Sequence, residues 1–274
     1  YTVFSATSIQ FVYNSIMTLR HEGILTPFVW HLKEGPQICM RYGEWSHLME
    51  LYSISNANIF TNQITKVWFE QFIKTDKPYM ILDQDMPKNN SFTNNFSEKL
   101  SSKDGAIHTV IPGRMIGLSQ WEIVCLAQNN VHIHLYSESY QDKKDEIIDN
   151  YQNIVPNHFH IHKHCPNNRW VEEFSQYDAG WLHCFQSKND GDLLKLSWDD
   201  LNKPSRMGVF AAAGIPMIQQ KNQGCIVASQ NLLEERQIGI LFTNMSNLVE
   251  KLNDKDKMNI LTQNIMKQRL DFTF

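Results

Sequence analysis

The sequence predicts an α/β protein built of two parallel-sheet domains. Three observations predict it. Short apolar runs without polar alternation, such as Thr26-Pro27-Phe28-Val29-Trp30, read as strands covered on both faces. These runs alternate with stretches of helical spacing, the rhythm of strand–helix units in a parallel sheet. A polar stretch, residues 83–105, is rich in Asn, Ser and Lys and separates two runs of that rhythm.

In the first run, Tyr1-Thr2-Val3-Phe4 reads as a strand end. Ser8 caps a helix to about residue 22, with Phe11, Ile16 and Leu19 on its apolar side. The strand 26–30 ends at the polar turn 31–36, where His31, Lys33 and Glu34 stand beyond a strand end. Ligands of open α/β sheets bind there. A helix over 44–53, a strand over 58–61, a helix through Trp68 and Phe72 and a strand over 79–82 follow. The domain is placed at 1–88 and expected to lack its first strand–helix units. The linker is placed at 89–105.

The second domain is placed at 106–255. A strand over 107–112 ends in Pro112-Gly113-Arg114. Strands over 131–136, 159–162 and 179–182 alternate with helices over 119–128, 143–151 and 168–174. Residues 186–201 read as a long polar loop. Helices over 226–233 and 247–252 flank a strand over 238–242. A final helix, 256–274 with its flanks, is expected to pack back on the first domain.

The 274 residues are mildly acidic, with a net charge of −4, which argues against nucleic acid as the main partner. Five scattered cysteines exclude a disulfide scaffold and make a reducing, cytoplasmic compartment the expectation. No run is long enough to span a bilayer, so membrane contact is limited to the peripheral kind.

The chemistry is expected in residues 202–218. Asn202 reads as a helix cap, with Pro204 in the first turn, and Gly214 and Pro216 end the helix. The start of a helix attracts anions, and Arg206 adds a full positive charge. Arg206 is therefore expected to hold a phosphate and to matter little for folding.

Pro204-Ser205-Arg206, Ala212-Ala213-Gly214 and Pro216 together resemble the donor segment of GT-B glycosyltransferases. Gly113-Arg114 is similar to the turn whose arginine faces the donor diphosphate. His162-Lys163-His164-Cys165-Pro166, with Trp170 and Tyr177-Asp178-Ala179, resembles the strand end that contacts the base. Glu234-Glu235 before Ile238-Gly239 resembles a further donor-site motif. The resemblance implies two Rossmann-like domains facing across a cleft and a retaining transfer of sugar from a nucleotide sugar. It implies a donor site of Gly113, Arg114, His164, Asn202, Pro204, Ser205 and Arg206. His31 with Glu34, from their place beyond the strand end, are the catalytic candidates, to orient an acceptor hydroxyl, accept its proton or bind the sugar. Many family members carry a Glu five residues before the Gly of Ala-Ala-Gly, on the donor ribose; here that residue is Val209. The usual lysine after Gly-Arg is also missing, and Lys188, Lys195 and Arg206 are its alternatives.

No cofactor or metal is expected. His158, His160, His162 and His164 alternate, as do His132 and His134, and read as the polar faces of strands. Asp190, Asp192, Asp199 and Asp200 lack the glycine and glutamate of a calcium loop. Asp199, Asp200 and Asn202 read as sugar-hydroxyl contacts, with a solvated loop as the alternative. The acceptor is a saccharide, a lipid or a small molecule. A sugar-nucleotide-binding scaffold without activity and a sugar-nucleotide epimerase are the competing readings.

Overall fold

The computed structural model describes residues 2–6, 9–32, 35–73, 76–83, 86–137 and 146–274. The chain forms two compact units. The first comprises Tyr1–Gln84, Ser187–Lys203 and Gly224–Ser229; the second comprises Asp85–Gln186, Pro204–Gln223 and Gln230–Phe274.

In the first unit β1 (Thr2–Ala6), β2 (Phe28–Leu32), β3 (Ala57–Phe60) and β4 (Tyr79–Ile81) pair in parallel in that order. β2 starts at Phe28 because Pro27 has no N–H to give to a ladder. The helices Ile9–His21, Pro36–Arg41, Trp45–Ile54 and Gln63–Phe69 connect the strands. Their apolar faces meet β2 and β3 in a core of Trp30, Leu48, Leu51, Tyr52, Phe60, Trp68 and Phe69. The first helix buries Ile9, Val12 and Ile16, whereas Phe11 is exposed and Leu19 lies at the margin. The apolar stripe is thus rotated from the one expected. Ser8, Lys33 and Glu34 lie outside the described residues.

Residues 187–203 correct the sequence reading, which left them as a polar loop of the second domain. Leu196 and Leu201 are buried in the core of the first unit, with Leu193 against them. Gln37 Nε2 donates to the Leu196 carbonyl (2.8 Å) and Asn62 Nδ2 to the Leu201 carbonyl (2.7 Å). Ser197 and Asp200 form a capping box on the short helix Trp198–Leu201. Asp200 is therefore a cap, and Asn202 ends that helix instead of starting the next. Asn189 Nδ2 reaches the Ile226 carbonyl (2.9 Å), which fastens the second returning segment.

The second unit has β5 (Ile107–Pro112), β6 (Val131–Tyr136), β7 (Phe159–His162), β8 (Ala179–Trp181), β9 (Met217–Gln220) and β10 (Gly239–Phe242). All pair in parallel, in the order β10-β9-β8-β5-β6-β7. Strand order therefore reverses between β5 and β8. The helix Arg206–Ala213 is buried along its whole length and lies on this sheet. Gly180 in β8 makes the close approach available, since a Cβ there would stand 2.2 Å from the Phe210 ring.

The expected linker belongs to this unit too. Phe92 is in its core, and the helix Ser101–Asp104 precedes β5. The terminal helix Lys255–Gln268 and the turn Arg269–Phe272 also stay on the second unit. Arg269 is buried and caps the helix Arg206–Ala213: its Nη2 donates to the carbonyls of Ala212 (2.7 Å) and Thr93 (2.8 Å). The chain end pairs with residues just before the former linker, Asn89 N–H to the Phe274 carbonyl and Phe274 N–H to the Pro87 carbonyl, each at 3.2 Å. These bonds explain why the helix remains on its own unit.

Gly180→Ala is expected to destabilise the second unit by about 1–3 kcal/mol, because Phe210 has no room to yield. Urea denaturation of the variant checks this; a midpoint equal to that of wild type would mean that the helix and sheet separate easily.

Candidate functional site

In an open parallel sheet the strand order reverses where two crossovers leave in opposite directions, and the crevice beyond the carboxyl ends of the strands is the ligand position. In the second unit that point lies between β5 and β8. Gly113 and Arg114 follow β5, and Leu182 and His183 follow β8. Gly113 has φ +86°, a conformation that glycine adopts without cost, and its N–H donates to the Tyr136 carbonyl (2.6 Å). Gly117 has φ +84° and lies so close to the loop after β8 that a Cβ there would stand 1.6 Å from the Cys184 carbonyl oxygen. Cys184 N–H donates to the Ile116 carbonyl (3.1 Å). The two strand-end loops are thus joined through their backbones.

Arg206 completes that junction. Its Nη1 donates to the Trp181 carbonyl (3.3 Å) and its Nη2 to the Arg114 carbonyl (2.6 Å). The guanidinium is only 7 % exposed. It lies in the first helical turn, after Ser205, which occupies the cap position without a side-chain cap bond. Pro204 is buried just before it, and its carbonyl accepts from Met207 N–H (2.9 Å). Burial above all, with the Arg114 charge next, lowers the Arg206 pKa to about 10, so the side chain is still a cation near neutral pH. The expectation that Arg206 matters little for folding is corrected: a buried arginine bonded to two backbone carbonyls is part of the framework.

His183 was not singled out from sequence. Its position directly past β8, at the reversal of strand order, is the signal that identifies it. Burial, then the charges of Arg206 and Arg114, lower its pKa to about 4. Three basic side chains thus gather at one strand-end crevice, one exposed (Arg114), one partly buried (His183) and one buried (Arg206). That arrangement accumulates positive potential and suits an anion.

The structure brings Gly113, Arg114, Pro204, Ser205 and Arg206 together at this crevice. His164 is exposed two residues past β7, at the same carboxyl edge of the sheet but beyond β5 and β6. Asn202 belongs to the first unit. So does His31, which is buried in β2 opposite Ser5 and Ile59 and not in a turn after the strand. Val209 is packed in the core of the second unit, and no carboxylate takes its place there. Glu234 forms an ion pair with Lys221 at 3.4 Å. Among the described residues no group of three or more His, Cys, Asp or Glu could hold a metal, and no helix is long and apolar enough to cross a membrane.

No protein-family model and no curated sequence matches the chain. Solved structures do match. HepE of Anabaena, solved with UDP and glucose, superposes with a TM-score of 0.65 at 14 % identity, over 100 % of this chain and 74 % of that one. Sucrose-phosphate synthase of Thermosynechococcus elongatus gives 0.62 at 11 % identity, over 99 % and 69 %. WaaG, a glycosyltransferase of lipopolysaccharide biosynthesis, gives 0.57 at 11 % identity, over 97 % and 80 %. The fold is GT-B. The two parallel-sheet α/β units described above are those of that fold. At these identities the likeness concerns architecture, and it extends to a UDP-N-acetylglucosamine 2-epimerase with a TM-score of 0.54.

Arg206→Ala is expected to lower the stability of the free protein by about 1–3 kcal/mol, the cost of leaving buried carbonyls without donors. For a chain of this size, at about 2 °C per kcal/mol, that corresponds to a fall in Tm of about 2–6 °C. In the same variant the His183 pKa rises toward its ordinary value, because one of the charges holding it down is gone. Ring NMR of His183 reads this directly, and an unshifted titration would separate His183 from Arg206 electrostatically.

Proposed function

We propose that the chain is a glycosyltransferase that takes its sugar from a nucleotide-sugar donor and holds the donor diphosphate at the β5–β8 crevice of the second unit. The observation that carries this reading is the buried Arg206 beside Arg114 at the reversal of strand order. In the transfer the bond between the anomeric carbon and the diphosphate oxygen breaks, and its electron pair leaves with the nucleoside diphosphate. Fixed positive charge at the departing group stabilises it, and arginine forks fit phosphate oxygens. Two of the five N–H groups of Arg206 go to backbone carbonyls, which leaves three for the diphosphate. Ser205 and the first helical turn add backbone N–H groups on the same side. His164 is assigned to the nucleoside end. Retention of configuration rests on the family resemblance of Pro204-Ser205-Arg206 through Pro216. UDP is the first nucleotide to try, since HepE was solved with it. The acceptor remains a saccharide, a lipid or a small molecule, and we assign His31 of the first unit to its side.

One observation favours a second reading, a sugar-nucleotide-binding protein without transfer: the core position of Val209, where many GT-B enzymes carry a ribose-binding glutamate. Product analysis with a labelled nucleotide sugar separates the readings. Transfer to an acceptor or to water supports the enzyme, whereas return of an epimerised nucleotide sugar supports epimerase chemistry.

Calorimetric titration with UDP tests the site. Arg114→Ala is expected to weaken binding by about 1.5–3 kcal/mol while leaving Tm nearly unchanged, since Arg114 is exposed. A diphosphate beside His183 offsets the arginine charges and raises its pKa. The complex then takes up a proton, and affinity grows as the pH falls from 6.5 toward about 4. A loss of affinity over the part of that range in which the protein stays folded, or full affinity in Arg114→Ala, would remove the diphosphate from this crevice.

A further inference from the structure

Six of the histidines, His108, His132, His134, His158, His160 and His162, stand together across β5, β6 and β7 and play no part in the proposed site. In a parallel sheet, residues facing each other on neighbouring strands are separated by the strand spacing of about 4.8 Å, which suits stacked flat rings. The rings that face one another do stack. His108 and His132 have centroids 4.5 Å apart, as have His134 and His160, while His132 and His158, at 4.6 Å, are tilted by 37°. Tyr136 continues the row on His162 at 4.5 Å.

Rings related by a diagonal step are hydrogen-bonded instead. His108 Nδ1 lies 2.9 Å from His134 Nε2, and His134 Nδ1 lies 2.9 Å from His162 Nε2. His132 Nδ1 lies 3.0 Å from His160 Nε2 in a second, shorter chain. The first chain ends on a carboxylate, with Asp104 Oδ2 3.0 Å from His108 Nε2.

That carboxylate fixes the direction of every bond in the first chain. Asp104 is ionised near neutral pH: the Ala106 N–H holds its pKa down first, with His108 adding to the effect. It can only accept, so His108 carries its proton on Nε2 and presents a lone pair at Nδ1. His134 must then donate from Nε2, and His162 likewise. A neutral imidazole has one N–H and one lone pair, so each ring of the chain satisfies the next. The rings meet two nitrogens at a time.

We propose that this ladder is an acid-sensitive lock on the second unit, which holds β5, β6 and β7 together while the rings are neutral and releases the β7 edge when they are protonated. One proton can be absorbed without loss: taken up at His162 Nδ1, it is passed along the chain, each bond reversing, until it rests beside Asp104. A second has no such place. An imidazolium offers no lone pair, and any further cation would stand within about 5 Å of another.

The other ionisable groups around the ladder do not relieve this. Glu173, on the helix Trp170–Phe174, accepts from the Tyr136 hydroxyl, and Tyr136 contacts the Tyr177 hydroxyl (2.7 Å). Asp178 is engaged by Ser101 Oγ (2.6 Å) and by the His108 N–H (2.8 Å). Lys99 donates to the Tyr177 carbonyl (2.5 Å) and brings a positive charge. Only Glu173 eases the charging of His162.

Burial and neighbouring rings lower the pKa of His134 to about 2 and of His132 to about 4, and those of His160 and His162 also fall. Each folded pKa lies below the unfolded one. The stabilisation is therefore present above pH 6.5 and is lost as the pH falls below it. Every histidine that must be protonated to unfold lowers the folding equilibrium constant up to tenfold per pH unit below that point.

The test uses the full chain labelled with ¹⁵N-histidine. Near pH 7.5 the expected ring spectrum shows His108, His134 and His162 as Nε2–H tautomers. On acidification to pH 5.5, His132 and His134 stay neutral for as long as the signals of the folded unit persist. Urea unfolding of the second unit, followed by the loss of those signals, is expected to take up two or more protons between pH 6.5 and 5. His132→Gln, a change at a partly exposed rung, should reduce that number by about one while the protein remains folded near pH 7.5. Nδ1–H tautomers in the first chain near pH 7.5, His132 or His134 rings that titrate near 6.5 in the folded protein, or a proton uptake below one would overturn the proposal. The outcome does not depend on whether the β5–β8 crevice binds a nucleotide, since UDP binding is measured separately near pH 7.5.

Discussion

The Arg206 clamp is the constraint on which the second unit depends. Where strand order reverses, two neighbouring strands send their chains away on opposite sides; the β5–β8 ladder stops at Val110 and Gly180, and beyond it, beside the Cys184–Ile116 backbone bond, the carboxyl ends need a further tie. One buried guanidinium supplies it here, by taking the backbone carbonyls of Trp181 at the end of β8 and of Arg114 after β5. The desolvation of that charge is a cost, visible in its lowered pKa. Two charge-assisted hydrogen bonds offset the cost, and a bound anion would offset it further. Stability and ligand binding therefore meet in one side chain. Such a site is cationic before any ligand arrives, which explains why His183 next to it is held neutral.

The same unit treats its other basic cluster in the opposite way. The histidine ladder keeps its rings uncharged and uses them as paired donors and acceptors along the sheet. Both arrangements follow from one rule, that a buried polar group must be paired. Arginine cannot give up its proton, so it is paired with carbonyls and suits an anion. Imidazole can, so it is paired with its own kind and remains responsive to acid.

Much of the fold was legible in the sequence. The strands of the second unit were found almost to the residue, because parallel strands buried on both faces leave plain apolar runs. The GT-B resemblance rested on Pro204-Ser205-Arg206, Ala212-Ala213-Gly214 and Gly113-Arg114; the first and the last of these meet at the β5–β8 crevice, whereas Ala212-Ala213-Gly214 close the helix at its other end. The reading failed where the chain leaves a unit and returns. Leu193, Leu196, Trp198 and Leu201 looked like strays in a polar loop, but they form an apolar face that is completed only by helices more than a hundred residues away. The terminal helix was misassigned for the same reason: Arg269 and Phe274 find partners that no local pattern announces. The ladder was half visible. Alternating histidines revealed a common face, but that two such strands lie side by side, with His108 on a third, is a property of sheet order.

The central claim is that the β5–β8 crevice of the second unit is a diphosphate site organised by Arg206, and a crystal structure of the chain with UDP tests it most directly. The account predicts the diphosphate within hydrogen-bond distance of the Arg114 and Arg206 guanidiniums and of backbone N–H groups at the start of the Arg206–Ala213 helix, with the Arg206 bonds to Trp181 and Arg114 kept. A diphosphate seated elsewhere, or an Arg206 that leaves both carbonyls to reach it, would contradict the account.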